Sequence, residues 1–323
     1  MRRLAVVTSG GDAPGMNAAV RAITRVGAEA DIEVYGVRDG YKGLIEGDMI
    51  HLTERGVSGI LQLGGTILGT VRSEEFKTAE AQHRAIENLK KNFIDGLVVI
   101  GGDGSQKGAF ALFKHGFPVV GVASTIDNDL YGSDITIGVD TALNTIVESI
   151  DKIRTTAESH ERAFLIEVMG RKYGYLALMA GLAGGAELVV TPEFEVDPAT
   201  VADELLSAYE RGKRYAMVVV TDGAKNNAET IAKYFKEHGE KVGYELRVTI
   251  LGHVQRGGAP SAFDRILASR LGAAAVQLFK DGGSGMLTGW INGKVAYTPL
   301  EEVVTNKKAL DINLWRLAEI LSR

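Results

Sequence analysis

The chain has 323 residues, of which 45% are hydrophobic and 24% are charged, with only 6 prolines. This composition excludes an extensively disordered chain and is typical of a globular protein long enough for two domains. The net charge of −5 argues against general nucleic-acid binding, and the absence of cysteine excludes disulfides, thiolate metal sites and a cysteine nucleophile. The first residues read as a strand, and no apolar run approaches the roughly 20 residues of a membrane helix. We therefore expect a cytoplasmic protein without a signal peptide.

Apolar strand-like runs alternate with helical patterns along the whole chain. Strands are predicted at Leu4–Thr8, Ile32–Val37, Leu97–Ile100, Val119–Val122, Ala163–Val168, Leu188–Thr191, Ala216–Thr221 and Leu246–Leu251. Apolar residues three and four positions apart predict a helix from Val139 to Ile153, and Asp197 before Pro198 predicts a second helix start. This alternation indicates an α/β fold with mostly parallel sheets flanked by helices and ligands at the carboxyl ends of the strands. No linker separates the halves, which indicates two interleaved domains.

The first glycine-rich turn, Ser9-Gly10-Gly11-Asp12-Ala13-Pro14-Gly15, follows the strand Leu4–Thr8. Backbone N–H groups at such a strand-to-helix turn can hold a phosphate. An ordinary turn with glycines for steric reasons explains the same residues about equally well. The turn has neither the Gly-Lys-Ser/Thr of a P-loop nor the spacing of a dinucleotide fingerprint.

A second pair of turns gives the strongest signal in the sequence. Gly101-Gly102-Asp103-Gly104-Ser105 and Thr125-Ile126-Asp127-Asn128-Asp129 each follow an apolar strand. Glycines let backbone N–H groups approach a phosphate, and the carboxylates can hold Mg²⁺ or accept a proton, which is the arrangement expected of phosphoryl transfer. A surface cluster of Asx turns is the less favoured alternative. Asp127 and Asp129 share a side if the segment is extended and diverge if it turns.

Basic residues near strand ends supply candidate anion ligands, because arginine binds phosphate with two parallel hydrogen bonds. The candidates are Arg72, Arg162, Arg171, Arg247 and Arg256, with His253 as a possible substrate ligand or proton carrier. Arg21 and Arg25 share one helix face, and Arg154 with Arg211, Lys213 and Arg214 adds positive charge elsewhere. For this second group a solvated basic face is the favoured interpretation.

Taken together, Thr-Ser-Gly-Gly-Asp-Ala-Pro-Gly-Met-Asn, Gly-Gly-Asp-Gly-Ser, Thr-Ile-Asp-Asn-Asp, Met-Gly-Arg and Leu-Gly-His-Val-Gln-Arg-Gly-Gly closely resemble the bacterial ATP-dependent 6-phosphofructokinases over essentially the whole chain. The resemblance implies transfer of the γ-phosphoryl of Mg·ATP to the 1-hydroxyl of fructose 6-phosphate, with ADP as the other product. It also implies a homotetramer with active sites shared between subunits and no nucleic-acid or membrane partner. Its nucleotide-binding domain would be 1–138 plus about 255–305, and its sugar-phosphate domain 139–254 plus about 306–323.

The resemblance also implies a role for each matching residue. The catalytic residues would be Asp127 as general base, Thr125, Asp129 and Arg171. The nucleotide would contact Gly11, Tyr41, Arg72, Ser73, Gly102, Asp103, Gly104 and Ser105, with Asp103 holding Mg²⁺. The sugar phosphate would contact Thr125, Asp127, Met169, Gly170, Arg171, Asp222, His253 and Arg256, and Arg162 and Arg247 would reach the substrate of a neighbouring subunit. An effector such as phosphoenolpyruvate would contact Arg21, Arg25, Arg154, Gly185, Glu187, Arg211, Lys213 and Arg214.

Several positions depart from the pattern of this family. Gly104 leaves room for an α-phosphate and favours ATP, but Ser124 stands where ATP users have glycine and pyrophosphate users have lysine. Ser73 replaces an aromatic residue, Asp222 replaces a glutamate, and Glu54 replaces an arginine of the effector site. A pyrophosphate-dependent phosphofructokinase is therefore the first alternative. The others are a kinase of another substrate with the same Gly-Gly-Asp-Gly motif, and a non-catalytic paralogue that binds sugar phosphate or nucleotide.

Overall fold

The computed structural model describes residues 1–238 and 243–322, and it divides into two compact units. Unit 1 comprises residues 1–141 and 256–308, and unit 2 comprises residues 142–255 and 309–323. Each unit is therefore assembled from two segments of the chain. The roles of the two units, nucleotide binding and sugar-phosphate binding, remain a prediction.

Within the described residues, unit 1 contains one sheet of seven strands. The strands are β1 (Arg3–Thr8), β2 (Glu33–Val37), β3 (Met49–Leu52), β4 (Gly96–Gly101), β5 (Val119–Ala123), β10 (Met286–Ile291) and β11 (Lys294–Pro299). Their order is β11-β10-β5-β4-β1-β2-β3, and the pairs at the two edges, β10 with β11 and β2 with β3, are antiparallel. The central strands are parallel and buried on both faces, which is why they read as continuous apolar runs.

Six α-helices in the described part of unit 1 connect these strands. They are α1 (Met16–Glu29), α2 (Tyr41–Glu46), α3 (Ala79–Lys91), α4 (Asp103–Lys114), α9 (Ala262–Lys280) and α10 (Leu300–Thr305). Helices α1 and α9 pack against each other along their apolar sides. The buried carboxylate of Asp264, in the first turn of α9, accepts hydrogen bonds from the Gly138 and Thr141 amides, both at 2.8 Å. These contacts fix the start of the helix that begins at Val139.

Unit 2 has a sheet of four parallel strands in its described residues, in the order β7-β8-β6-β9. The strands are β6 (Arg162–Val168), β7 (Leu188–Val190), β8 (Ala216–Thr221) and β9 (Glu245–Ile250), and the helices are α5 (Val139–His160), α6 (Tyr175–Gly184), α7 (Pro198–Glu210), α8 (Ala228–His238) and α11 (Ile312–Leu321). Its core packs Leu165, Val218 and Val220 of the sheet against Leu205 of α7 and Ile231 of α8. Strand β9 lies at an edge and is largely exposed.

The α/β class with mostly parallel sheets flanked by helices is confirmed. All eight predicted strands are present within one or two residues of their predicted ends. The helix predicted from Val139 is α5, and Asp197 caps α7 by accepting from the Thr200 amide at 2.8 Å, as its sequence predicts. Strands β3, β10 and β11 were not predicted, and β10 carries a glycine in mid-strand. None of the described helices is both long and apolar enough to cross a bilayer.

Candidate active site

Three loops leave the sheet of unit 1 side by side. Thr8 at the end of β1 pairs with Ile100 of β4, and Gly101 pairs with Ala123 at the end of β5. Because these strands are parallel and in register, the loops that follow them start at the same edge of the sheet. The two glycine-rich turns and the Thr125–Asp129 segment are therefore brought together, as the sequence predicts.

The two glycine-rich turns are in direct contact. The Ser9 amide donates to the Ile100 carbonyl at 3.0 Å, which ties the start of the first turn to β4. A Cβ at Gly101 would lie 2.6 Å from the Ser9 carbonyl oxygen and 2.5 Å from Ser105 Oγ. No larger residue fits at position 101 without moving the backbone, so glycine here is required for the close approach of the two turns.

Arg256 joins this cluster from a distant part of the chain. Its guanidinium lies against Gly11, where a Cβ would overlap with it, and its Nη1 donates to the Asp12 carbonyl at 3.3 Å. A predicted sugar ligand therefore contacts a predicted nucleotide-binding turn. The segment before Arg72 is also tied to this turn, because the Thr70 hydroxyl donates to the Gly10 carbonyl at 2.8 Å. Arg72 itself is exposed.

Tyr41 lies behind the second turn. Its ring is buried and stacks on Phe76 at a centroid distance of 3.9 Å, and its hydroxyl donates to the Ser105 carbonyl. Burial raises the pKa of the phenol, so Tyr41 stays protonated and acts as a donor. Ser73 Oγ accepts from the Phe76 amide at 3.3 Å. These residues support the turn that carries Ser105, and Phe76 was not anticipated from the sequence.

Asp103 begins helix α4 at the carboxyl end of β4. Its carboxylate is 44% exposed and pairs with Lys107 Nζ at 2.7 Å. A Cβ at Gly104 would meet no atom of the described residues within 4 Å, so this position opens onto free space at the helix N-terminus. Free backbone N–H groups at a helix start, next to open space, provide a place for phosphate oxygens.

Asp103 fits the donor set that Mg²⁺ uses beside a nucleotide. Mg²⁺ in phosphoryl-transfer sites is held by one or two carboxylates and by the phosphates themselves. Among residues 1–238 and 243–322, no group of three or more His, Cys, Asp or Glu side chains converges to hold a metal ion. A single exposed carboxylate such as Asp103 is therefore suited to an ion that arrives with the nucleotide.

The segment from Thr125 to Asp129 is a turn. A Cβ at Gly102 would lie 3.1 Å from Thr125 Cβ, so Thr125 directly faces the second glycine-rich turn. Thr125 Oγ1 accepts from the amide of the buried Asp127 at 3.2 Å. Asn128 has φ of 54°, and its side chain accepts from the Thr136 amide at 3.2 Å and donates to the Asp134 carbonyl at 3.0 Å. The left-handed Asn128 ends the extended geometry between Asp127 and Asp129.

Lys308 approaches the same turn from the end of the second segment of unit 1. Its ammonium donates to the Asp134 carbonyl at 2.7 Å. Burial lowers the pKa of Lys308 to about 8, and the neighbouring carboxylates of Asp134 and Asp129 act in the opposite direction. This lysine adds positive charge beside Asp129, and nothing in the sequence pattern indicated it.

Three loops also leave the sheet of unit 2 at one edge. Val168 of β6 pairs with Thr221 of β8, and Glu167 pairs with Ile250 of β9. The loops that carry Met169 to Arg171, Asp222, and His253 therefore begin next to each other. Buried Gln255 ties two of them together, accepting from the Met169 amide at 3.1 Å and donating to the Gly252 carbonyl at 2.9 Å. Met169, Gly170, Arg171, Asp222 and His253 therefore lie at one sheet edge of unit 2, with His253 exposed, whereas Arg162 and Arg247 lie on the strands themselves.

Arg162 and Arg247 lie on the paired strands β6 and β9 and share one carboxylate. Arg162 Nε contacts Glu245 Oε2 at 2.6 Å, and Arg247 Nη2 contacts Glu245 Oε1 at 2.5 Å. The hydrogen bond from Arg162 lowers the pKa of Glu245, so its carboxylate stays charged. The two guanidinium groups already hold an anionic group, which is the geometry that a phosphate would use.

The charged effector candidates of unit 2 all form contacts within that unit. Lys213 Nζ contacts Glu187 Oε1 at 3.1 Å, and Glu187 Oε2 accepts from the Met217 amide at 2.5 Å. Arg154 donates to the carbonyl of Gly184, beside Gly185. Arg211 bonds the Ser207 hydroxyl at 2.6 Å, and Arg214 contacts Glu161 at 3.4 Å.

The remaining effector candidates are in unit 1. Arg21 and Arg25 lie one turn apart on α1 and are half-buried. Exposed Glu54 lines a cleft beside Thr24 and Ala28 of the same helix. The carboxylate therefore lies close to the helix that carries the two arginines.

Sequence reasoning missed Glu245, Gln255 and Lys308. Glu245 could have been found, because residues two apart on a strand face the same side and Arg247 follows it by two. Gln255 and Lys308 act through contacts with residues 86 and 174 positions away, which no local pattern indicates.

Comparison with known proteins agrees with this architecture. The chain is 53% identical over 324 residues to the ATP-dependent 6-phosphofructokinase 1 of Thermus thermophilus, and the match covers 100% of both chains. It is 51% identical over 322 residues to the ATP-dependent 6-phosphofructokinase of Halalkalibacterium halodurans, again covering 100% of each. The solved phosphofructokinase of Saccharomyces cerevisiae superposes with a TM-score of 0.87 at 40% identity. That match covers 94% of this chain and 45% of the yeast chain.

Residues 3–279 match the family described as Phosphofructokinase. The match includes both glycine-rich turns of unit 1 and the three loops at the sheet edge of unit 2. The chain therefore belongs to the phosphofructokinase family.

Proposed function

We propose that this chain transfers the γ-phosphoryl group of Mg·ATP to the 1-hydroxyl of fructose 6-phosphate, giving fructose 1,6-bisphosphate and ADP. The observation that carries the proposal is the convergence at one sheet edge of two glycine-rich turns, Asp103 and the Thr125–Asp129 turn. This combination supplies a phosphate cradle, a carboxylate for the metal ion and a buried carboxylate for the acceptor hydroxyl.

The nucleotide phosphates bind at the start of α4. Backbone N–H groups of Gly102 to Ser105 face the phosphates, and the helix dipole favours their negative charge. The open space at Gly104 leaves room for the α-phosphate of a nucleotide, which supports ATP as donor. Asp103 would hold the Mg²⁺ that accompanies the nucleotide, and the bound ion would supply positive charge to neutralise the phosphates.

Asp127 accepts the proton of the sugar hydroxyl as the hydroxyl attacks the γ-phosphorus. Proton loss comes late in a loose transition state, so a carboxylate without a strongly raised pKa is adequate. Thr125 and Arg171 donate hydrogen bonds to the phosphoryl group during transfer, and Asp129 lies on the same turn as the base.

The sugar phosphate is held by arginines and by the loops of unit 2. Met169, Gly170, Asp222, His253 and Arg256 contact the sugar. Arg162 and Arg247 bind the 6-phosphate of the substrate in a neighbouring subunit. Support for the last assignment is their position on and beside the exposed edge strand β9, both within reach of Glu245.

We further propose that the enzyme acts in the cytoplasm as a homotetramer under effector control. Phosphoenolpyruvate or ADP binds Arg21, Arg25, Arg154, Gly185, Glu187, Arg211, Lys213 and Arg214. Glu54 repels anionic effectors and weakens their binding, because like charges at close range oppose each other. Measuring the phosphoenolpyruvate response of the native chain and of Glu54→Arg tests this: a stronger response in the variant is expected.

The catalytic proposal is tested by incubating the chain with fructose 6-phosphate and Mg·ATP and following the products by ³¹P NMR. A new phosphomonoester resonance on C1, formed together with ADP, is expected. Hydrolysis of ATP without a sugar product, or no reaction in a folded protein, would overturn the proposal and favour a non-catalytic paralogue.

A further inference from the structure

We propose that Asp222, together with Gly223, positions Arg171 for phosphoryl transfer by holding the Arg171 backbone. This inference rests on the proposed function, because Arg171 receives its catalytic role there. It makes Asp222 a positioning residue in addition to a candidate sugar contact.

The backbone of Arg171 is in an unfavourable conformation. Its φ is 54°, in the left-handed region that non-glycine residues seldom adopt. Residues held in this region persist only where surrounding contacts determine them. The Tyr173 amide donates to the Gly170 carbonyl at 3.0 Å, which closes the turn around Arg171. The left-handed backbone of Arg171 therefore needs contacts that hold the peptide groups on either side of its Cα.

Asp222 provides the first of these contacts. Its Oδ1 accepts from the Arg171 amide at 2.8 Å, and its own amide donates to the Val168 carbonyl at 2.8 Å. A hydrogen bond to a charged acceptor is about twice as strong as one between neutral groups. Asp222 thus links the Arg171 amide to the ends of both β8 and β6.

Gly223 provides the second contact. A Cβ at this position would overlap with the Arg171 carbonyl oxygen and carbonyl carbon. The backbone of Gly223 therefore lies directly against the peptide that follows Arg171. Asp222 and Gly223 hold the two peptide groups on either side of the Arg171 Cα.

The far side of the turn is also fixed. A Cβ at Gly170 would lie 2.6 Å from the Tyr173 carbonyl oxygen and 2.8 Å from Thr221 Cγ2. The Tyr173 hydroxyl donates to the Ala309 carbonyl at 3.0 Å. The turn is held on both sides, while the Arg171 side chain remains exposed.

The length of the side chain at position 222 matters for this contact. An aspartate places its carboxylate on the Arg171 amide, and a glutamate would carry its oxygens about one methylene further. Aspartate stands here where the family usually has glutamate. The shorter side chain therefore favours a hydrogen bond to the Arg171 backbone over a contact with the sugar hydroxyls. Asp222→Asn keeps an acceptor at the same place, whereas Asp222→Ala removes it.

A double-mutant cycle tests the proposal. Steady-state kinetics with Mg·ATP and fructose 6-phosphate are measured for the native chain, Asp222→Ala, Asp222→Asn, Arg171→Ala and the Asp222→Ala/Arg171→Ala pair. We expect Asp222→Ala to lower kcat about tenfold, the effect of one charge-assisted hydrogen bond. Asp222→Asn retains most of the kcat, and Asp222→Ala has no further effect on kcat in the Arg171→Ala background. Asp203→Ala, at an exposed position on α7, is the matched control.

A change in KM alone would contradict the positioning role of Asp222. If Asp222→Ala raises only the KM for fructose 6-phosphate, and does so equally in both backgrounds, Asp222 serves the sugar alone and the inference is wrong. Hydrogen exchange of the Arg171 amide gives a readout that does not need activity. We expect exchange at least about tenfold faster in Asp222→Ala than in the native chain and Asp222→Asn; equal rates would overturn the inference. If the native chain is inactive but its Arg171 amide shows this exchange pattern, the proposed function is wrong and the contact between Asp222 and Arg171 still stands.

Discussion

The two candidate phosphate sites of this chain are built from different groups. In unit 1 the site is made of backbone groups and glycines in close contact, such as Gly101 against Ser9 and Ser105. In unit 2 the site on strands β6 and β9 is made of two charged side chains held by one exposed carboxylate, Arg162 and Arg247 around Glu245. Phosphates of a nucleotide are therefore expected to meet a preformed backbone cradle, and the sugar phosphate to meet adjustable ion pairs.

This contrast predicts which property each substitution should change. A close-packed backbone cradle does not tolerate added atoms, so changes there should reduce stability and turnover together. Exposed ion pairs contribute little to stability, so changes there should shift substrate affinity and leave the fold intact.

Asp127→Ser in unit 1 should lower kcat about 1,000-fold, because a general base typically contributes 10²–10⁴-fold. Binding of fructose 6-phosphate, measured by calorimetry, should change less than about threefold, since Asp127 acts mainly in the transition state. Asp203→Ser serves as the control on an exposed helix. An unchanged kcat would remove Asp127 from its role as base.

The pH dependence of stability that comes from Asp264 tests how firmly the backbone of unit 1 is held at the start of α5. Burial raises the pKa of Asp264 to about 6 from 3.8, against hydrogen bonds from Thr141 and Gly138 that lower it. The folded protein therefore binds this proton more tightly than the unfolded chain. Its contribution to the free energy of unfolding should fall as the pH rises from about 4 to about 6, by up to about 3 kcal/mol, and then level off.

Urea unfolding of the native chain and of Asp264→Asn across this pH range measures that contribution. The stability of the native chain relative to the variant should decline between pH 4 and 6 and stay constant above. A relative stability that rises with pH would mean that the hydrogen bonds to Asp264 outweigh its desolvation.

Gly101→Ala and Gly104→Ala are a matched pair within the cradle. Gly101→Ala should lower the free energy of unfolding by about 2 kcal/mol, because the new methyl meets Ser9 and Ser105. Gly104→Ala places its methyl in open space on a helix and should raise stability by about 0.5–1 kcal/mol. Denaturant melts of both variants provide the measurement, and equal effects would contradict a close-packed cradle.

Glu245→Gln addresses the ion pairs of unit 2. A neutral side chain no longer competes with phosphate for Arg162 and Arg247, so the KM for fructose 6-phosphate should fall about threefold with kcat unchanged, a modest change typical of exposed ion pairs. Glu210→Gln, at an exposed position on α7, is the control. A raised KM would instead indicate that Glu245 is needed to hold the arginines in place.

The sequence predicts the elements of this fold well because each strand and each following turn is a local pattern. The eight apolar runs and the glycine-rich turns after Thr8 and Ile100 are visible without any structure, and parallel register then brings the turns together. What could not be predicted depends on contacts distant in the chain. Arg256 reaches Asp12 over 244 residues, and β10 enters the sheet beside β5 from the end of the chain.

The geometry between Asp127 and Asp129 also had to come from the structure. Their spacing allows either a shared side or a divergence, and the left-handed backbone of Asn128 decides between them. That conformation depends on the side-chain bonds of Asn128 to Asp134 and Thr136, which a residue pattern does not specify.

The most direct test of the account compares initial rates of fructose 6-phosphate phosphorylation with Mg·ATP and with Mg·pyrophosphate under matched conditions. We assign the open space at Gly104 beside the backbone cradle to the α-phosphate of a nucleotide, so we predict turnover with Mg·ATP. Turnover with pyrophosphate in place of ATP would contradict the assignment of this cradle to a nucleotide.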